Sequence, residues 1–181
     1  MNIRVSALLS SPSAFLNIAC STAVSSGAKG GHNNGSNPRN SKATCLFTLD
    51  RALRLSLVQE NQADDEPQHW SLFVARENEP GPVYQVKGDA ECMSYQPSPG
   101  PTNILQSASF SNAYNLAVVT DAQALIVKQV AENEPPPRAV NRQAVVENCQ
   151  GWTIRVIAKL VARGIVDSAK LEMARSMVQA I

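Results

Sequence analysis

The chain has little net charge, few histidines, no paired cysteines and no long apolar run, and each shortage removes a class of function. With 16 basic residues against 15 acidic, the formal charge is +1. Nothing in that balance draws the chain to nucleic acid or to an anionic membrane surface. The four cysteines, Cys20, Cys45, Cys92 and Cys149, show no C-x-x-C spacing, so no metal site is expected from them. At that density in 181 residues a disulfide framework is not expected either. Reduced thiols and a cytoplasmic location are the simpler reading. Gly30-Gly31 and Gly35 have no strand before them and no Gly-Lys-Ser/Thr after them, so they form no phosphate loop, and no cofactor is expected. Asp64 and Asp65 lie in a loop without partner ligands at helical or hairpin spacing and read as solvated. No stretch is long and apolar enough to span a membrane.

What is present is a hydrophobic content of 44%, enough for one domain with a core and a tail. The sequence divides into a leader over 1–43 and a domain over 44–181. Residues 21–42 are rich in Ser, Gly and Asn and bury too little apolar surface to offset chain entropy, so they read as disordered. Residues 1–19 are mildly apolar and hydroxyl-rich. They permit three readings: an unstructured leader, a secretory signal with cleavage near Ala19 or Ala23, or an organelle signal carrying Arg4 and no acid before Asp50. A secreted location is the alternative if the signal reading holds.

Within the domain, Leu53, Leu55 and Leu57 alternate with Arg54 and Ser56, a half-buried strand. His69-Trp70-Ser71-Leu72-Phe73-Val74-Ala75 suits a largely buried strand. Glu79-Pro80-Gly81-Pro82 is a turn leading into the strand Val83-Tyr84-Gln85-Val86-Lys87. A third strand is expected over 91–95, another up to Val119, and a helix over 122–131 capped by Thr120 or Asp121. Pro135, Pro136 and Pro137 end that helix. A last helix over 169–180 presents Leu171, Ala174, Met177, Val178 and Ile181 on one face. These elements predict an α+β fold. A mostly antiparallel sheet packs against the Cys149 helix and one or two further helices.

Cys149 opens the best helix in the chain. Trp152, Val156, Ile157, Leu160 and Val161 recur at helical spacing, Asn148 is an N-cap, and Gly164 ends the run. A thiol in the first turn sits at the positive end of the helix dipole, which favours its thiolate form. His69, at the first position of a strand, sits at a sheet end where it can point into a cleft. Taken singly, Cys149 reads first as a small buried hydrophobe and His69 first as a partly exposed strand-start histidine.

Together they resemble the circularly permuted papain-like thiol enzymes, the lecithin:retinol acyltransferase-like group and permuted relatives of the NlpC-type peptidases. The matching pieces are His69-Trp70-Ser71-Leu72-Phe73, Val83-Tyr84-Gln85-Val86 and Asn148-Cys149-Gln150-Gly151-Trp152, within about residues 53–166. The resemblance implies a cysteine nucleophile, Cys149, a base, His69, and acyl transfer through a thioester. The substrate would be a small-molecule or peptide acyl compound. The third polar position of that family, often a histidine, falls at Gln85. A glutamine can orient an imidazole but holds no ion pair with it. A catalytically inactive interaction domain on the same fold is the alternative implied by that departure.

Overall fold

The computed structural model describes residues 52–181. The leader expected over 1–43 and the first residues of the expected domain lie outside them. Strand β1, Leu53–Glu60, pairs antiparallel with β2, His69–Ala75, from Arg54 opposite Ala75 to Glu60 opposite His69. Next come β3, Val83–Tyr84, β4, Val86–Lys87, β5, Ser94–Tyr95, and β6, Phe110–Val119. One sheet has the order β3-β2-β1-β6, and β4-β5 form a second, two-stranded sheet. The pairings are antiparallel throughout. Three helices follow: α1, Asp121–Glu132, α2, Cys149–Val161, and α3, Ser168–Ser176. The fold is α+β, as the patterning predicts.

Alternation along the strands sorts the core into two layers. Leu55 and Leu57 of β1 and Trp70, Leu72 and Val74 of β2 point to one face. There they pack with Trp152, Val156, Ile157 and Leu160 of α2. Each of these four α2 side chains is fully buried, which stabilises the fold by roughly 1.5–3 kcal/mol per large apolar side chain. Val58, Phe73, Ala75 and Val83 point to the opposite face and pack with Ile104. Every residue of β2, His69 included, is buried. That explains why its sequence has no polar face to read.

The helix ends follow their caps. Asn148 Oδ1 accepts from the Gln150 N–H at 2.9 Å. Thr120 and Gln123 form a reciprocal capping box at α1, and Asp167 caps α3. Gly164, with φ +68°, takes the left-handed conformation after α2, and the Ile165 N–H donates to Leu160 O at 3.0 Å.

Four local expectations are corrected. The strand expected over 83–87 is two short strands: β3 pairs with β2, β4 pairs with β5, and the chain changes sheet at Gln85. The strand expected over 91–95 shrinks to β5, because Cys92 bridges instead to Arg138. The turn after β2 comes earlier than Pro80, with the Glu79 N–H donating to Arg76 O at 3.1 Å and Asn78 at φ 59°. The last helix stops at Ser176 rather than 180. In a longer helix the Gln179 N–H would bond Arg175 O, but it donates to Gln150 Oε1 at 2.8 Å. Leu171 and Ala174 are buried as expected, whereas Val178 is 47% and Ile181 63% exposed.

Candidate thiol site

Beyond the first residue of β2 the sheet opens into a cleft of about 820 Å³. His69 and Cys149 both line it, with Glu60, Lys87, Asn148 and the ion pair Asp89–Arg142 among the other walls. His69 is placed by β2, whose register is held by the apolar packing of Trp70 and Leu72. Cys149 is placed by α2, which lies on β2, with its sulfur in the core layer on that side.

Gln85 meets His69. Its Oε1 lies 3.0 Å from His69 Nε2, and both residues are buried. An amide oxygen only accepts, so with this amide orientation Nε2 carries the hydrogen. In a neutral ring Nδ1 then keeps the lone pair that can take a proton. The contact comes from the change of sheet at Gln85, not from continuous pairing beside β2. Val83 and Gln85 alternate to the face that also carries Phe73 and, by the same alternation, His69.

Cys149 approaches from the other side. Trp70 faces α2, and backbone hydrogen bonding from Trp70, Gln150 and Cys149 itself acts to lower the thiol. The expected stabilisation of the thiolate is overturned: backbone hydrogen bonding acts downward, but burial is the larger effect and pushes the Cys149 thiol up from its ordinary value. Burial likewise holds His69 below its ordinary value. The hydrogen bond to Gln85 and the charge of Glu60 act upward, and Lys87 acts downward. Both shifts favour the neutral forms, thiol and imidazole. The sulfur and the ring share the cleft, and among the described residues no hydrogen bond joins them.

Two features of the site are absent from the sequence reading. Glu60 stands opposite His69 in the β1–β2 register, lines the cleft, and accepts from Ser109 Oγ at 2.8 Å. The only sequence signal was its position as the last residue of a strand one hairpin before His69. The second is Gln150, which is fully buried. Its Nε2 donates to Gln68 O at 2.8 Å and to Gln179 Oε1 at 2.9 Å. The Gln68 N–H donates to the same Gln179 oxygen at 2.7 Å. The start of α2, the residue before His69 and the segment after α3 are thus tied at one point.

Behind the site, Glu134 is buried against Arg155 and Lys159, each 2.5 Å from a carboxylate oxygen, and Arg155 also pairs with Glu147. Burial alone would raise the Glu134 carboxyl, but the two cations outweigh it and hold the carboxyl below its ordinary value. None of these four residues lines the cleft. No helix among the described residues is long and apolar enough to cross a membrane.

No curated protein and no solved structure matches the chain. A family model does match, over residues 55–167, a span that runs from β1 to the cap of α3 and includes Glu60, His69, Gln85 and Cys149. The chain belongs to that family, a family of unknown function designated DUF6540.

Proposed function

We propose that the cleft is a thiol acyl-transfer site in which Cys149 attacks a carbonyl, His69 accepts the thiol proton and Gln85 orients the ring. The observation that carries this reading is the His69–Gln85 hydrogen bond at the wall of a cleft that Cys149 also lines. It leaves the acceptor nitrogen of the imidazole without a hydrogen and available as a base. Because burial favours the neutral form of both groups, His69 works as a general base during attack, not as half of a stored ion pair. Catalytic hydrogen bonds are often long before substrate binds, and the proton passes either directly or through one water. The amide hydrogens around the sulfur, at the first turn of α2, are the donors within reach of a tetrahedral oxyanion. One such donor is worth about 3 kcal/mol. Collapse of the oxyanion breaks the bond to the leaving alcohol, thiol or amine, which takes the proton from His69 and leaves the Cys149 thioester; water as second nucleophile then gives hydrolysis, and an amine or alcohol gives transfer.

The test is turnover of a panel of esters, thioesters and amides by the full chain. Cys149→Ala, shown folded by circular dichroism, abolishes it, and His69→Gln lowers it roughly 10²–10⁴-fold, the usual contribution of a positioned base. Turnover retained by Cys149→Ala refutes the assignment.

A second reading has its own support. The upward shift of the Cys149 thiol and the neutral third position, Gln85, suit a domain that binds without catalysis. It predicts that no acyl donor in the panel is turned over and that Cys149 alkylates near neutral pH more slowly than the exposed Cys92.

A further inference from the structure

Gln85 orients the His69 ring but carries no charge, and an imidazole that accepts a proton in a buried place needs one nearby. The charged groups around the cleft come from four places. Lys87 of β4 disfavours the protonated ring, Asp89 and Arg142 pair with each other, and Asp65 and Glu66 line the cleft from the loop between β1 and β2. Glu60 of β1 is the fourth, and it differs from the loop acids in three ways. It is the direct cross-strand partner of His69, so the two side chains leave the sheet on the same face, a spacing of roughly 5 Å between Cβ atoms. Its carboxylate is tethered by Ser109 Oγ at 2.8 Å, which keeps it from swinging into solvent. It also lines the same cleft as the ring and the thiol. Cys149 of α2, whose neutral form burial favours, adds no charge until its proton leaves.

We propose that Glu60 is the electrostatic partner of His69, supplying the negative charge that stabilises the ring once it has taken a proton. Gln85 and Glu60 then divide a task that a single carboxylate performs in many triads: the amide fixes the ring and the acid on the neighbouring strand balances its charge. Ser109 is a positioning residue, acting on the ring only through Glu60. This role rests on His69 being the base, but its first test does not, because it reads the ring alone.

The measurement is the titration of the His69 ring by NMR in the full chain. Two histidines are present, and His69→Gln identifies the signals. Removing an opposite charge a few ångströms away lowers the midpoint of an imidazole, here by about 0.5 pH unit or more for Glu60→Gln. Glu60→Asp, which keeps the charge, restores most of it. Glu66→Gln, at the cleft but off the strand register, moves it less. Lys87→Gln moves it upward. An unchanged midpoint in Glu60→Gln, or a shift no larger than that of Glu66→Gln, overturns the proposal. If Glu60→Gln does not fold, Ser109→Ala decides: a downward shift supports the role and no shift ends it.

Where turnover is found, kcat of Glu60→Gln should fall at least tenfold with KM little changed. Loss of turnover in Cys149→Ala alone, with no effect of Glu60→Gln, would sink the role of Glu60 and leave the thiol reading standing.

Discussion

Burial disfavours the charged forms of both His69 and Cys149, and this determines how stability should follow pH. For His69 the folded value lies below the ordinary 6.5. Between those two values the unfolded chain binds a proton that the folded chain refuses, so stability falls as pH drops from about 6.5. For Cys149 the folded value lies above the ordinary 9.0, so stability falls as pH rises past about 9. Thermal melts of the full chain should show both limbs. His69→Gln should flatten the acid limb and Cys149→Ala the alkaline one. An acid limb of equal slope with and without the imidazole would mean that His69 is not held neutral by the fold. These shifts also mark what a sequence conveys about single residues. The placement of Cys149 in the first turn of a helix is legible from Asn148, Trp152 and Gly164. The direction of its shift is not, because the helix dipole acts on any first-turn thiol whereas burial depends on Trp70 and the strand it belongs to.

Among the elements, α2 and β2 position the site, and Gln150 sets their relative placement. Gln150 and Thr153 are fully buried polar residues in a helix otherwise read from its apolar positions. Replacing Gln150 with Ala removes the partner of Gln68 O and of the Gln179 N–H, on a part-buried and an exposed residue respectively. Such losses cost about 0.5–1.5 kcal/mol per hydrogen bond. Urea melts of Gln150→Ala should show that loss. Amide exchange should also quicken at Gln179, whose N–H bonds Gln150 Oε1, and at Gln68, which is tied to the same cluster. Unchanged exchange there would show that the tie contributes little.

β1, α1 and α2 were legible because alternation or helical spacing runs through each, and β2 because it is a short, largely apolar run bounded by turn residues. The region from 83 to 95 was not. Val83-Tyr84-Gln85-Val86-Lys87 alternates like one strand, and nothing local shows that its two halves pair with different partners, β2 and β5. The end of α3 was hidden for a similar reason. Val178 and Ile181 keep the apolar spacing, but a hydrogen bond from 29 residues away takes the backbone out of the helix.

The described residues bring Glu60, His69 and Cys149 to one cleft, with Gln85 bonded to the His69 ring, and no sequence spacing relates the four. The antiparallel sheet does it by placing β2 between β1 and β3. Glu60 and Gln85 then flank the ring on its own face of β2, while α2 delivers the thiol from the other face around the open end of the strand. A fold alone does not specify chemistry, and the same α+β frame would serve a binding domain equally well. What separates the two is whether a carbonyl entering the cleft ends up bonded to sulfur.

That is measured by trapping. The full chain is mixed with short-chain p-nitrophenyl esters, quenched in acid and mapped by peptide mass. The account predicts one acyl group on the peptide carrying Cys149, released by neutral hydroxylamine, absent in Cys149→Ala and strongly reduced in His69→Gln. Acyl groups found only on Cys20, Cys45, Cys92 or lysines, at levels indifferent to His69, would contradict it.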